Sequence, residues 1–243
     1  MRDDDGAEEA VRTPSPARVF VMYRPAKTGK DHLPMPQLYT MPGTCALAPN
    51  IAVAWLDAPV EVVKLAYGDH KKDEYLRINP KGQVPAVKFE DGDVLTEAAA
   101  ILSWLGAEHG DEEYARDTKL GRREAEALSY MTSEVHAAFG PHFAAQRFAE
   151  GEDCQAAVKE TAYKRLADHF ERLNAALTEA GGEWYLGERS FADAYLYVLT
   201  VWLEKTPLSI TNYPALKSFR ARMEQDEGVQ KALERQGMEP VGG

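Results

Sequence analysis

The 243-residue chain carries 28 Lys and Arg against 39 Asp and Glu, a net charge of −11. That balance argues against non-specific binding to nucleic acid or to an anionic membrane surface, because both are polyanions. Two cysteines, Cys45 and Cys154, are too few for a disulfide framework and lack zinc-ligand spacing, which suits a reducing compartment.

The richest apolar run, Ala194 to Leu203, is far shorter than the roughly 20 residues of a membrane span. The N-terminus has no apolar stretch of secretory length. The expected location is the cytoplasm. Residues 1–34 hold Pro14, Pro16, Pro25 and Pro34 among many charges. A segment so polar is expected to be a disordered extension, and Met35 is an alternative start of translation.

From Leu38 the pattern changes. Leu38-Tyr39-Thr40 reads as a short strand, ended by Pro42-Gly43. Ala46 to Leu56 reads as a buried helix. Val60, Val62 and Leu65 read as one face of a strand, and Lys71 to Leu76 as a short helix stopped by Asn79-Pro80. Val84 to Phe89 is a strand, Asp91-Gly92 a hairpin turn, and Val94-Leu95 the returning strand. Thr96 is expected to start a helix that ends near His109-Gly110. This βαβ unit, followed by a hairpin and a closing helix, has the thioredoxin-like order. It is assigned to residues 35–115.

The strand signals stop after Asp117, so residues 118–243 are expected to form an all-helical second domain. Tyr163, Leu166, Phe170, Leu173 and Leu177 make an apolar helical stripe closed by Gly181-Gly182. Ser190 and Asp193 form a capping box before the run to Leu203, and Pro214 opens a further helix.

Cys45 falls at the expected first turn of the first helix. Outward-pointing amides and the helix dipole there favour an anion, either its own thiolate or a bound ligand's. The other reading is a small, unreactive buried cysteine. Ala48 stands where a Cys-x-x-Cys pair needs its second thiol, which points to chemistry with an external thiol. Pro85 opens a strand that should be central, a position eased by a cis Val84-Pro85 peptide with Val84 offering its backbone to a ligand. The start of the helix at Thr96-Glu97-Ala98 suits an α-amino-acid end, with amides for the carboxylate and Glu97 for the ammonium. His136 shares a helix face with Ser129 and Ser133. No metal-site motif is present, and Cys154 is given no role.

Several stretches together resemble bacterial glutathione transferases, the beta class most closely. They are Pro42-Gly43-Thr44-Cys45-Ala46-Leu47-Ala48, Asn79-Pro80-Lys81-Gly82-Gln83-Val84-Pro85-Ala86, and Leu95-Thr96-Glu97 leading into Ala100-Ile101. Glu134-Val135-His136 and Ser190-Phe191-Ala192-Asp193-Ala194-Tyr195-Leu196 extend the resemblance to about residues 36–238. It implies a thioredoxin-like domain followed by a helical domain, in a homodimer. Glutathione would be co-substrate, with no metal or other cofactor and no nucleic-acid or membrane partner. The second substrate would be a small hydrophobic electrophile.

Carried over by the resemblance, Cys45 and His136 lie near the glutathione sulfur. Gln83 and Val84, with a cis Pro85, hold the cysteinyl unit, and Glu97 and Ala98 hold the γ-glutamyl end. Ser129 and Ser133 approach glutathione, and Lys71 or Lys72 meets the glycyl carboxylate. Phe139, Phe143 and Trp202 are candidates for an apolar pocket, with core packing the alternative for each. The chain departs from the family at Ala98, where many members have Ser, and at Thr40, where other classes have the activating Tyr. Two further readings remain: thiol–disulfide exchange through Cys45, and a non-catalytic interaction module. Retention of both Cys45 and His136 argues against the second.

Overall fold

The computed structural model describes residues 35–110 and 118–242; the readings made for residues 1–34 and 111–117 lie outside the described residues. In the first part, period-2 alternation builds a sheet with two apolar faces. Strands β1 (Gln37–Thr40), β2 (Glu61–Lys64), β3 (Ala86–Lys88) and β4 (Val94–Thr96) lie in the order β2-β1-β3-β4. β1 runs parallel to β2, with Leu38 opposite Val62, and antiparallel to β3, with Leu38 opposite Val87. β3 and β4 pair as the expected hairpin, Val87 opposite Leu95.

Leu38, Val62, Val87 and Leu95 point into the main core against helices α1 (Leu47–Trp55) and α3 (Ala98–His109). Tyr39, Val63, Ala86 and Val94 point the other way, into a smaller cluster with Tyr75 of α2 (Asp73–Leu76). Helices on both faces of this mixed sheet make the thioredoxin-like layer.

Three local readings are corrected. Leu65 packs with Val63 in the smaller cluster, not with Val62, because residues an odd number apart face opposite sides of a strand. Lys71 to Leu76 divides into a 3₁₀ turn, Asp69–Lys71, and α2. Thr96 ends β4 rather than starting a helix: Glu97, at φ +72°, turns the chain, and α3 begins at Ala98.

The second part is helical. α4 (Lys119–Tyr130) passes through a π-turn (Met131–Val135) into α5 (His136–Ala138) and α6 (Gly140–Ala144). Then follow α7 (Glu152–Glu179), α8 (Phe191–Leu203), α9 (Pro214–Met223) and α10 (Glu227–Gln236). The expected stripe lies on α7, where Leu166, Phe170, Leu173 and Leu177 are fully buried. All thirteen residues of α8 are buried. A helix apolar all round belongs at the centre of a fold, and α8 packs against α1, α4 and α9. α10 returns to the first layer, where Gln236 Nε2 donates to Thr40 Oγ1 at 2.6 Å and Asn50 Nδ2 to the Ala232 carbonyl at 3.1 Å. No helix among the described residues is long and apolar enough to cross a membrane.

Candidate active site

A cleft of about 730 Å³ opens beside the C-terminal end of β1 and the start of α3, and it is walled by residues of α5 and α8. Its size falls within the range of about 300–1,000 Å³ usual for small-molecule sites. Cys45, Lys71, Gln83, Val84, Pro85, Glu97, Ala98, His136, Phe143 and Trp202 line it, so the structure brings these expected residues together.

One end of the cleft is polar. The Val84-Pro85 peptide is cis, and β3 begins only after it, at Ala86. The Gln83 carbonyl accepts from the Tyr75 hydroxyl at 2.6 Å and from Asn79 Nδ2 at 2.8 Å, which fixes the approach to this peptide. Glu97 stands ahead of α3 at positive φ, a conformation costly for a side-chain-bearing residue. Its carboxylate meets Lys81 Nζ at 3.1 Å. The adjacent amides of Ala98 and Ala99 belong to the first turn of α3, which has no helical acceptors for them. Lys71 Nζ donates to the Gly82 carbonyl at 2.8 Å.

The middle of the cleft holds Cys45, and here an expectation fails. α1 starts at Leu47, with Ala46 as its cap, so Cys45 precedes the helix. The nearby amides are already used: Ala46 donates to Thr44 Oγ1, Leu47 to the Thr44 carbonyl and Ala48 to the Cys45 carbonyl. Burial pushes the Cys45 thiol up to about 12; its own amide and Tyr195 lower it only in part, and the Glu97 charge raises it. Cys45 is therefore a neutral donor, with Sγ 3.9 Å from the Val84 carbonyl, and not a thiolate.

Tyr195, on α8, joins Cys45 to His136. Its hydroxyl lies 2.6 Å from His136 Nδ1 and is near enough to Cys45 to lower the thiol's pKa. Burial, followed by the neighbouring Cys45, raises its pKa far above the usual phenol range, so it remains protonated. Burial holds the His136 imidazole below its ordinary pKa, with the Glu97 charge opposing, so the ring is neutral at pH 7. With Tyr195 O–H directed at Cys45, whose pKa it lowers, His136 Nδ1–H donates to the Tyr195 oxygen and Cys45 S–H to Val84. This leaves the lone pair of His136 Nε2 for the cleft.

Four expected residues lie elsewhere. Lys72 points away, paired with Asp69 at 2.7 Å. Phe139 is fully buried behind the wall, edge-on to Trp202 at 5.5 Å. Ser129 and Ser133 are exposed, and the Ser133 hydroxyl donates to the Ser129 carbonyl. The π-turn changes the spacing, and Thr132 lines the cleft in place of Ser133. Tyr195 was the main residue missed; it lies seven residues before Trp202, on the same face of α8, and that spacing was a usable signal.

Comparison with known proteins agrees with this geometry. Residues 44–108 match the family description "Glutathione S-transferase, N-terminal domain", and residues 137–236 match "Glutathione S-transferase, C-terminal domain". Glutathione S-transferase GST-4.5 of Xanthomonas campestris is 31% identical over 211 residues, covering 83% of this chain and 99% of that protein. The chain belongs to the glutathione S-transferase family. A bacterial beta-class glutathione S-transferase of Sphingomonas chungbukensis superposes with a TM-score of 0.70 at 31% identity, covering 83% of this chain and 99% of the other. A sphingomonad glutathione S-transferase complexed with glutathione gives 0.70 at 29% identity, covering 83% and 98%.

Proposed function

We propose that this glutathione transferase joins the glutathione sulfur to small apolar electrophiles, with glutathione as co-substrate. The observation that carries this reading is one cleft that brings together Glu97 and the start of α3, the cis Val84-Pro85 peptide, and the hydrogen-bonded His136–Tyr195 pair beside Cys45. The γ-glutamyl ammonium would pair with Glu97 and its carboxylate would meet the Ala98 and Ala99 amides. Val84 would pair with the cysteinyl backbone and Lys71 would meet the glycyl carboxylate. Neutral His136 takes the thiol proton at Nε2; once the cysteinyl N–H occupies the Val84 carbonyl, the Cys45 S–H is released from it and turns, with the new imidazolium, to donate toward the thiolate. The sulfur then bonds to the electrophile, and the leaving group departs with its electron pair, so that one thioether and one acid form. Fixing both reactants in one cleft supplies the rest of the acceleration.

Exchange through Cys45 is disfavoured because its thiol, pushed up to about 12, is a poor nucleophile at neutral pH. We place the protein in the cytoplasm as a two-fold dimer that disposes of reactive electrophiles. Two-fold dimers are the commonest closed assembly, and sedimentation at micromolar concentration should give twice the chain mass. A monomer would contradict the assembly.

Calorimetric titration with glutathione tests the reading. Glu97→Ala removes a charge-assisted hydrogen bond of about 1.5–3 kcal/mol. Part of this is offset because Lys81 already neutralises Glu97 in the free protein. The expected weakening is about tenfold. Unchanged affinity would remove Glu97 from the ammonium site, and no binding by the unaltered protein would remove the function.

A further inference from the structure

One cation of the cleft has no partner among the described residues of the free protein and no glutathione group assigned to it. Among the described residues the cleft lining holds three permanent cations, Lys71, Lys81 and Arg147, and one carboxylate, Glu97. Lys81 is paired with Glu97, and Lys71 lies at the end assigned to the glycyl carboxylate. Arg147 remains. It ends the 3₁₀ turn after α6, four residues past Phe143, lines the cleft, and makes no hydrogen bond or ion pair with any described residue.

Two further cations lie near the residues around Phe143 and Trp202. Lys205 follows α8, and its ammonium lies 3.2 Å from where a Cβ on Gly43 would stand, against the loop that carries Cys45. Lys159 and Lys205 both act on His142, whose imidazole is held low first by burial and then by these two charges. The His142 ring is 5.1 Å from that of Phe143. The adjacent acid, Glu204, is paired with Arg220. Arg147, Lys159 and Lys205 flank an apolar floor in a chain of net charge −11. That floor is Phe143, 47% exposed, with Trp202 edge-on at 5.2 Å.

We propose that the second substrate is an anionic electrophile: an aryl-sized apolar group bearing a carboxylate or sulfonate, its ring on Phe143 and Trp202 and its anion on Arg147. The planar guanidinium fork fits a two-oxygen anion, and Lys205 and Lys159 add longer-range attraction. The inference rests on the conjugation reading.

The test compares 4-chloro-3-nitrobenzoate with 4-chloro-3-nitrobenzamide, which share a leaving group and differ in charge. The kcat/KM for each, divided by its uncatalysed rate constant with glutathione, gives a preference ratio. The expected ratio favours the benzoate by about three- to tenfold, given the modest strength of exposed ion pairs. It should fall with added salt, collapse toward unity in Arg147→Gln and survive only in part in Arg147→Lys, which keeps the charge and loses the fork. Turnover of both compounds with the same ratio in the unaltered protein and Arg147→Gln would overturn the inference and leave the transferase reading intact. Turnover of neither, with glutathione bound, would overturn the conjugation reading and this inference with it.

Discussion

Iodoacetamide at pH 7.5 is expected to alkylate Cys154 at least about thirtyfold faster than Cys45. The thiolate is the attacking species. Burial pushes Cys45 from 9.0 up to about 12, so its thiolate fraction is about three decades below that of an unshifted thiol. A more basic thiolate is a better nucleophile, and a Brønsted slope of about 0.5 returns half of those decades. The remainder is about thirtyfold before access is counted, and access favours the exposed Cys154 over the partly buried Cys45. Peptide mass spectrometry over a time course gives both rates. Equal rates, or Cys45 reacting first, would mean an activated thiolate at Cys45 and would favour thiol exchange.

Asp193→Ala should destabilise the fold by about 3–5 kcal/mol. Asp193 is fully buried at the start of α8. Its carboxylate accepts from Tyr185 N–H at 2.8 Å, from Ser190 N–H at 2.8 Å and from the Ser190 hydroxyl at 3.1 Å. Alanine leaves two backbone donors and a hydroxyl unpaired in the interior, where each costs about 1–3 kcal/mol. In a protein of this size the melting temperature should drop by roughly 10 °C or more. A drop below about 2 °C would mean that water or a neighbouring acceptor replaces the carboxylate. Asp193→Asn keeps the shape and one acceptor oxygen and should fall between the two.

The fold was legible where periodicity is strong. The alternation in β1, β3 and β4 and the stripe on α7 follow from the side-chain period alone. Boundaries were less legible, because they depend on backbone angles rather than pattern. Thr96 and Glu97 read as a helix start, whereas the chain needs Glu97 at φ +72° to leave β4. The cleft residues carried by short motifs, Cys45, Val84, Pro85 and Glu97, could be found in the sequence. The chemistry of Cys45 could not, because it depends on how the Thr44 side chain and local carbonyls use up the amides ahead of α1. Tyr195 left only an indirect signal, its seven-residue spacing from Trp202 on α8, because its partner His136 lies 59 residues away. Ser133 failed for a local reason, the π-turn, which no residue pattern announces.

In the proposed mechanism, the cleft turns bound glutathione into a thiolate through neutral His136, held by Tyr195, with Cys45 as a donor. Ultraviolet difference titration of thiolate absorbance near 240 nm, with glutathione and protein at saturating concentrations, measures this directly. The bound thiol should ionise at least about one pH unit below a free cysteine-like thiol. That shift should shrink in Tyr195→Phe and His136→Ala while glutathione remains bound. Bound glutathione that ionises at the free value in the unaltered protein, or with the same shift in both variants, would contradict the account.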